Sequence, residues 1–173
     1  MIKVGHPVPD FELEGYHKGE FSQFKLEEYR GKWVVLVFYP LDFTFICPTE
    51  IKGFNNAAPE FAKIKTQLFG ISIDSVHSHK AWEKDMGITL NFPLLSDIKK
   101  EVARAYDVLI EEEGTALRGT FVIDPEGVLK YQLVSFNDAG RSVGETLRVV
   151  QALQSGKLCP VEWKPGQEFV GNN

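Results

Sequence analysis

The chain has 173 residues, 43% of them hydrophobic and 25% charged, with a formal net charge of −5 and a pI near 5.4. That composition excludes the fibrous and disordered classes, and basic residues scattered among acidic ones exclude an electrostatic footprint for nucleic acid. No apolar run is long enough to cross a bilayer, and Met1–Pro7 lacks the apolar core of a signal peptide, so the sequence predicts a cytoplasmic protein without a membrane partner.

A chain of this length suits one domain, residues 1–173, burying about 70% of the surface of its unfolded form without help from a disulfide or metal. Phe11-Glu12-Leu13-Glu14 alternates apolar and polar residues, Lys18-Gly19 offers a turn, and Phe21 and Phe24 lie beyond it, which predicts an opening β-hairpin. Trp33–Phe38 is a continuous apolar run, the pattern of a central strand covered on both faces. After Cys47, residues Ile51, Phe54, Ala58 and Phe61 recur at helical spacing, with Pro59 expected to kink or restart the helix. Phe69–Ile73 is the next buried strand, so strand, helix and strand make a parallel βαβ unit whose site lies at the carboxyl ends of its strands. A helix follows over about Ser75–Met86, then a short strand at Phe92–Leu95 and a short helix at Lys100–Tyr106. Gly119–Asp124 and Val128–Ser135 are strands joined by the turn Asp124-Pro125-Glu126-Gly127, an antiparallel hairpin that closes the sheet. Ser142 and Glu145 form a capping box at the start of the last helix, one face of which is marked by Val143, Leu147, Val150 and Gln154. Residues 156–173 are a C-terminal segment, loose from Gly166 onward.

Two cysteines without a secretion signal point to reactive or incidental thiols rather than a structural disulfide. The four histidines have no metal-ligand spacing with either cysteine. His77 and His79, two apart, would point about 200° apart on one helix, and all four histidines are read as solvent-facing. Cys47 falls where an apolar strand gives way to a helix, and Pro48 suits a first helical turn. A helix start favours a thiolate through its backbone N–H groups and dipole. Blander alternatives stand beside this. Cys47 can be a small buried hydrophobe, Arg118 a surface partner of the solvated run Glu111-Glu112-Glu113, and Glu50 a favourable helix-start charge. Trp82 and Trp163 are read as packing or interface residues.

Pro40, Thr44 and Cys47 spell PxxxTxxC, and Cys159-Pro160-Val161-Glu162-Trp163 stands near the other end. These motifs resemble those of the typical 2-Cys peroxiredoxins, thiol peroxidases of the thioredoxin superfamily, among them the peroxidase component of bacterial alkyl hydroperoxide reductase. The resemblance implies an α/β, thioredoxin-like fold with an N-terminal β-hairpin and a central mixed sheet flanked by helices. It implies Cys47 as the peroxidatic and Cys159 as the resolving cysteine. Arg118 would bind a peroxide oxygen, the Thr44 hydroxyl would donate to the peroxide while accepting elsewhere, Pro40 would shield the pocket, and Glu50 and Arg141 would be an ion pair orienting them. Thioredoxins carry CxxC where this chain reads Thr44-Phe45-Ile46-Cys47, so any second sulfur comes from Cys159.

A thiol of pKa about 8.5 is roughly 3% thiolate at pH 7, and one lowered to about 6 roughly 90%, about a 30-fold gain. A Brønsted slope of about 0.4 to 0.5 forfeits roughly 10- to 20-fold of it. A fast peroxidase therefore needs groups that hold the peroxide in line and stabilise charge on its departing oxygen, the work assigned to Thr44 and Arg118.

The cycle implied by the resemblance runs from a hydroperoxide to a Cys47 sulfenic acid, then to a disulfide with Cys159 of the partner in a homodimer, itself possible as part of a decamer. A thioredoxin-like or flavoprotein dithiol reductant closes it, with no metal, haem or flavin of the chain's own. Were Cys159 incidental, the chain would be a 1-Cys peroxidase. Eukaryotic members easily inactivated by peroxide carry a GGLG loop and a Tyr-Phe helix. Here Asp85–Asn91 reads differently and only ten residues follow Trp163, which implies resistance to overoxidation. From another class, the same fold serves as a holdase chaperone or redox relay.

Overall fold

Alternating residues at the start of the chain form a hairpin of β1 (Glu12–His17) and β2 (Glu20–Lys25). Its turn residues Lys18 and Gly19 both take positive φ, 51° and 88°, which matches the twist of the two strands in a two-residue connection. The apolar run becomes β3 (Trp33–Phe38), followed by α1 (Cys47–Lys63), β4 (Thr66–Ser72), α2 (Val76–Met86), β5 (Leu94–Ser96) and α3 (Glu101–Ala105). A small ribbon of β6 (Leu109–Ile110) and β7 (Thr115–Ala116) carries the acidic run at its tip, and β8 (Arg118–Ile123) and β9 (Leu129–Ser135) make the closing hairpin. This computed structural model describes residues 1–171, and the chain divides into two units, Met1–Arg141 and Ser142–Asn173.

In the first unit seven strands form one mixed sheet in the order β2-β1-β5-β4-β3-β8-β9. β3 pairs parallel with β4 and antiparallel with β8, while β4 pairs parallel with β5. Both faces of β3 are covered: Val34, Leu36 and Phe38 enter one apolar cluster with Phe69, Ile71, Tyr106 and Phe121, and Val35 and Val37 are equally buried on the other face. Gly70 lets the other face close. A Cβ there would come within 2.6 Å of Leu94 Cδ2, so a side chain would force Leu94 aside, while Ile51 Cδ1 on α1, at 3.5 Å, already lies at contact distance.

Three expectations change in this unit. α1 does not restart at Pro59 but continues through it as one helix to Lys63. Proline gives up the hydrogen bond to the Asn55 carbonyl, but Phe54 and Phe61, fully buried on either side of it, hold the helix together against that loss. The histidines do not all face solvent: His77 is exposed, whereas His79 is fully buried between Val76 and Trp82 on the covered face of α2. Arg118 is not a surface partner of the acidic run, being 3% exposed, and Arg104 is the residue that meets Glu111.

The second unit holds α4 (Val143–Ser155). Ser142 accepts from the Glu145 amide at 3.1 Å, but Glu145 turns its carboxylate to Arg148 Nε and Nη2, so that carboxylate serves an ion pair in place of the reciprocal half of a capping box. The buried stripe is Thr146, Val149 and Val150, shifted from the face marked by Val143, Leu147 and Gln154. Residues 172–173 of the segment expected to be loose lie outside the described chain, and the part that is described is held by contacts. Phe169 stacks on the buried Trp163 with ring centroids 5.2 Å apart, Trp163 Nε1 donates to the Gln167 carbonyl, and the Val170 amide donates to the Leu158 carbonyl.

Candidate active site

β3 ends at Phe38 and the chain passes through the buried Tyr39 and Pro40 into an irregular turn, Leu41–Ile46, before α1 begins. Phe43 takes φ 56° there, an uncommon conformation for a residue with a Cβ. Thr44 Oγ1 donates to the Leu41 carbonyl at 3.0 Å. Its proton is thereby committed, so the expected donor role toward a bound molecule is reversed and its lone pairs are left to accept. Ile46 opens α1, its carbonyl accepting from the Thr49 and Glu50 amides, so Cys47 and Pro48 occupy the first helical positions. Ahead of those two amides, the Cys47 amide has no carbonyl of its own helix to bond, and Pro48 has no N–H to satisfy.

Strand register brings a cation to the same place. Val37 lies opposite Thr120, so Arg118, two residues back along antiparallel β8, stands beside the end of β3. Arg118 Nη1 donates to Cys47 Sγ at 3.5 Å and to Glu50 Oε2 at 2.8 Å, while its Nε donates to the Asn137 carbonyl at 3.0 Å. Cys47 itself is 0% exposed. Glu50, one turn along α1 from Cys47, also receives Arg141: Nη2 to Oε2 at 2.7 Å, Nε to Oε1 at 2.9 Å and the backbone amide to Oε1 at 2.8 Å. Arg141 Nη1 is spent on the Gly119 carbonyl at 2.9 Å.

One carboxylate between two guanidiniums leaves one positive charge uncompensated, and Arg118 presents it to the sulfur. Burial alone would raise the Glu50 carboxyl, but the hydrogen bonds and charge of Arg141, followed by the charge of Arg118, outweigh it and hold its pKa below the ordinary value. Glu50 therefore stays ionised at neutral pH and fixes both arginines in a bidentate and a shared contact.

The structure thus brings together Cys47, Arg118, Glu50 and Arg141, with Pro40 buried and Thr44 half-buried in the turn leading to them. Cys159 lies in the other unit, after α4, as a half-buried free thiol 3.4 Å from Ser155 Oγ and 3.7 Å from the Ala152 carbonyl. Sequence reasoning passed over Asp42 and His79, which join beneath the turn at 2.8 Å. A signal existed: Val76, His79, Trp82 and Met86 fall at helical spacing on one face, and two histidines 200° apart cannot both face outward from a half-buried helix. Among the described residues no group of three or more His, Cys, Asp or Glu side chains is placed to hold a metal, and no helix is long and apolar enough to cross a membrane.

Residues 4–132 match the AhpC/TSA family. YkuU of Bacillus subtilis (strain 168), which carries a peroxiredoxin name, is 51% identical over 175 residues, covering 96% of this chain and 97% of that one. A reduced 2-Cys peroxiredoxin of Plasmodium vivax superposes with a TM-score of 0.91 at 37% identity, covering 95% of this chain and 91% of the other. AhpC of Enterococcus faecalis superposes at 0.87 with 33% identity, covering 92% and 100%. With its sheet and helices matching theirs, the chain belongs to the AhpC/TSA family and is a peroxiredoxin, a thiol peroxidase on a thioredoxin-like fold.

Proposed function

We propose that this peroxiredoxin reduces hydrogen peroxide and organic hydroperoxides through Cys47, with Cys159 of a partner subunit as the resolving thiol. The observation that carries the reading is the buried Cys47 sulfur 3.5 Å from a guanidinium that Glu50 and the Asn137 carbonyl hold in place. The Cys47 thiolate attacks one peroxide oxygen: an S–O bond forms, the O–O bond breaks, and the proton of the attacked hydroxyl passes to the other oxygen, which leaves as water or an alcohol, while the Cys47 sulfenate takes a proton from solvent to become the sulfenic acid. Arg118 stabilises negative charge first on sulfur and then on the departing oxygen. Thr44, its own proton given to Leu41, accepts from the peroxide hydroxyl and aligns it. Pro40 keeps water from the pocket, and Glu50 and Arg141 keep Arg118 aimed.

A second side chain cannot reach a sulfur that is 0% exposed, which supports a step in which the start of α1 opens before Cys159 attacks the sulfenic sulfur. That attack forms the S–S bond and releases water. A dithiol reductant, thioredoxin-like or a flavoprotein, then reduces the disulfide. Homodimerisation through the β9 edge is supported by the exposed Leu133, Val134 and, just beyond the strand, Phe136. Assembly of such dimers into a decamer, a cytoplasmic location and resistance of Cys47 to overoxidation complete the reading.

The test is to treat the reduced protein with one equivalent of hydrogen peroxide, block free thiols, and compare non-reducing gel mobility and intact mass, with Cys47→Ser and Cys159→Ser variants alongside. A covalent dimer requiring both cysteines is the expected result. A monomer two hydrogens lighter would move the disulfide inside one chain, and Cys47 remaining a free thiol would remove the peroxidase assignment of this residue.

A further inference from the structure

The turn that carries Thr44 is held from beneath by a buried polar hub that touches neither peroxide nor sulfur. Asp42 is 5% exposed, and its amide and both carboxylate oxygens are engaged. The amide donates to Asp74 Oδ2 at 2.9 Å, Oδ1 accepts from the Tyr39 hydroxyl at 2.8 Å, and Oδ2 accepts from the Ser78 hydroxyl at 2.8 Å. The same Oδ2 meets His79 Nδ1 at 2.8 Å. His79 is fixed at its other nitrogen too, Nε2 donating to the Leu95 carbonyl at 3.1 Å, and that link stands whichever partner carries the proton shared with Asp42. The hub therefore ties the turn to α2 through Ser78 and His79, to β5 through Leu95, and to the end of β4 through Asp74, which accepts from Ser72 Oγ at 2.6 Å.

What the hub holds is a strained element. Phe43 follows Asp42 with φ 56°, a conformation that persists in a side-chain-bearing residue only where its surroundings over-determine it. The Thr44 to Leu41 hydrogen bond closes directly around Asp42 and Phe43, so a shift of Asp42 displaces both ends of that bond. Two buried groups, Tyr39 and His79, and the half-buried Ser78 converge on one carboxylate.

We infer that Asp42 and His79 are positioning residues for the peroxidase reaction, their buried pairing fixing the Leu41–Thr44 turn so that the Thr44 hydroxyl meets the peroxide in line with Cys47. This rests on the peroxidase reading above and assigns that reaction two residues that never contact substrate.

The experiment compares two reactions of Cys47 in the full chain: its oxidation by hydrogen peroxide, followed by stopped flow, and its alkylation by iodoacetamide, which needs no alignment by Thr44. His79→Gln and Asp42→Asn should slow oxidation about tenfold or more, as a small misplacement of an aligned group does, while alkylation changes by less than about threefold. On a Thr44→Val background the same substitutions should add almost nothing, because their effect passes through that hydroxyl. Ser78→Ala and Tyr39→Phe, each deleting one hydrogen bond to Asp42, should show the same signature at about threefold, and they decide the matter if the larger changes prevent folding. Equal losses in oxidation and alkylation, full additivity with Thr44→Val, or unchanged oxidation would overturn the inference. A wild-type Cys47 inert to peroxide removes the parent reading as well, whereas a reactive wild type with indifferent variants removes this inference alone.

Discussion

Cys47 and Cys159 carry the same side chain in opposite surroundings. Cys47 is completely buried at the start of a helix and faces a guanidinium whose other contacts are a carboxylate and a backbone carbonyl. Cys159 is half-buried in an irregular segment and faces a serine hydroxyl and the carbonyls of Ala152 and Lys157. Carbonyl oxygens can only accept, so they are partners for a thiol, while a guanidinium can only donate, so it is a partner for an anion. The contrast teaches that reactivity is assigned by what surrounds each sulfur, and it divides the proposed labour: one cysteine is built to meet peroxide, the other to wait for the product.

The largest effect that tests this division comes from the cysteines themselves. Cys47→Ser should remove peroxide consumption altogether, whereas Cys159→Ser should leave the first oxidation of Cys47 within about twofold of wild type and let the sulfenic acid accumulate, as trapping with dimedone and mass spectrometry would show. If Cys159→Ser slowed the first oxidation as much as Cys47→Ser did, the division would be wrong.

Next comes the cation. Removing a preorganised donor from a site of developing charge costs about 10²- to 10³-fold in rate, so Arg118→Ala should slow Cys47 oxidation by that order while leaving thiol–disulfide chemistry at Cys159 untouched. Stopped-flow oxidation of Arg118→Ala and Arg118→Lys would sharpen the comparison. The lysine variant keeps the charge but lacks the fork that reaches Cys47, Glu50 and Asn137 together, so it should recover only part of the rate.

Glu50→Gln should act on stability and rate together, because it leaves two buried arginines without their shared carboxylate; the ion pairs Arg118–Glu50 and Arg141–Glu50 have side chains no more than 4% exposed. Its pKa is held below the ordinary glutamate value. The native state therefore binds this proton less readily than the unfolded chain. The stabilisation is fully present above about pH 4.3, the unfolded value, and is lost as pH falls through the lower native value. Thermal unfolding against pH should show wild type well above Glu50→Gln at pH 7, with the two curves converging only in acid. A gap that persisted unchanged at the acid end would contradict the assignment. The smallest effect belongs to the exposed pair Arg104–Glu111, with side chains 54% and 60% exposed. Glu111→Gln should leave both melting temperature and oxidation rate unchanged, because water already screens the pair.

Local patterns were legible where local physics decides. The hairpin at Lys18-Gly19, the apolar run of β3, the βαβ order and the closing hairpin all follow from periodicity and turn chemistry, and the structure keeps them, with strand ends moved by up to three residues where β4 starts at Thr66 instead of Phe69. Pro59 does not restart the helix because the buried helix face outweighs a one-residue penalty. His79 was misjudged because polarity alone says solvent, whereas a carboxylate and a carbonyl waiting at both ring nitrogens make burial tolerable. The Gly166–Gly171 segment reads as loose in composition, yet Phe169 folds onto Trp163.

By itself the sequence determined that a cysteine followed by proline begins a helix after a buried strand, and that Thr44, Arg118, Glu50 and Arg141 are candidates to serve it. The first is a matter of spacing and turn preference, and the candidates are what the resemblance to the peroxiredoxin motifs implies. Only the tertiary structure decided that Arg118 faces Cys47 rather than the acidic run, that Glu50 binds both arginines, and that Asp42 and His79 pair beneath the turn. Contacts between residues tens of positions apart depend on strand register and on which helix face is covered. Those are settled by burying the whole sheet at once.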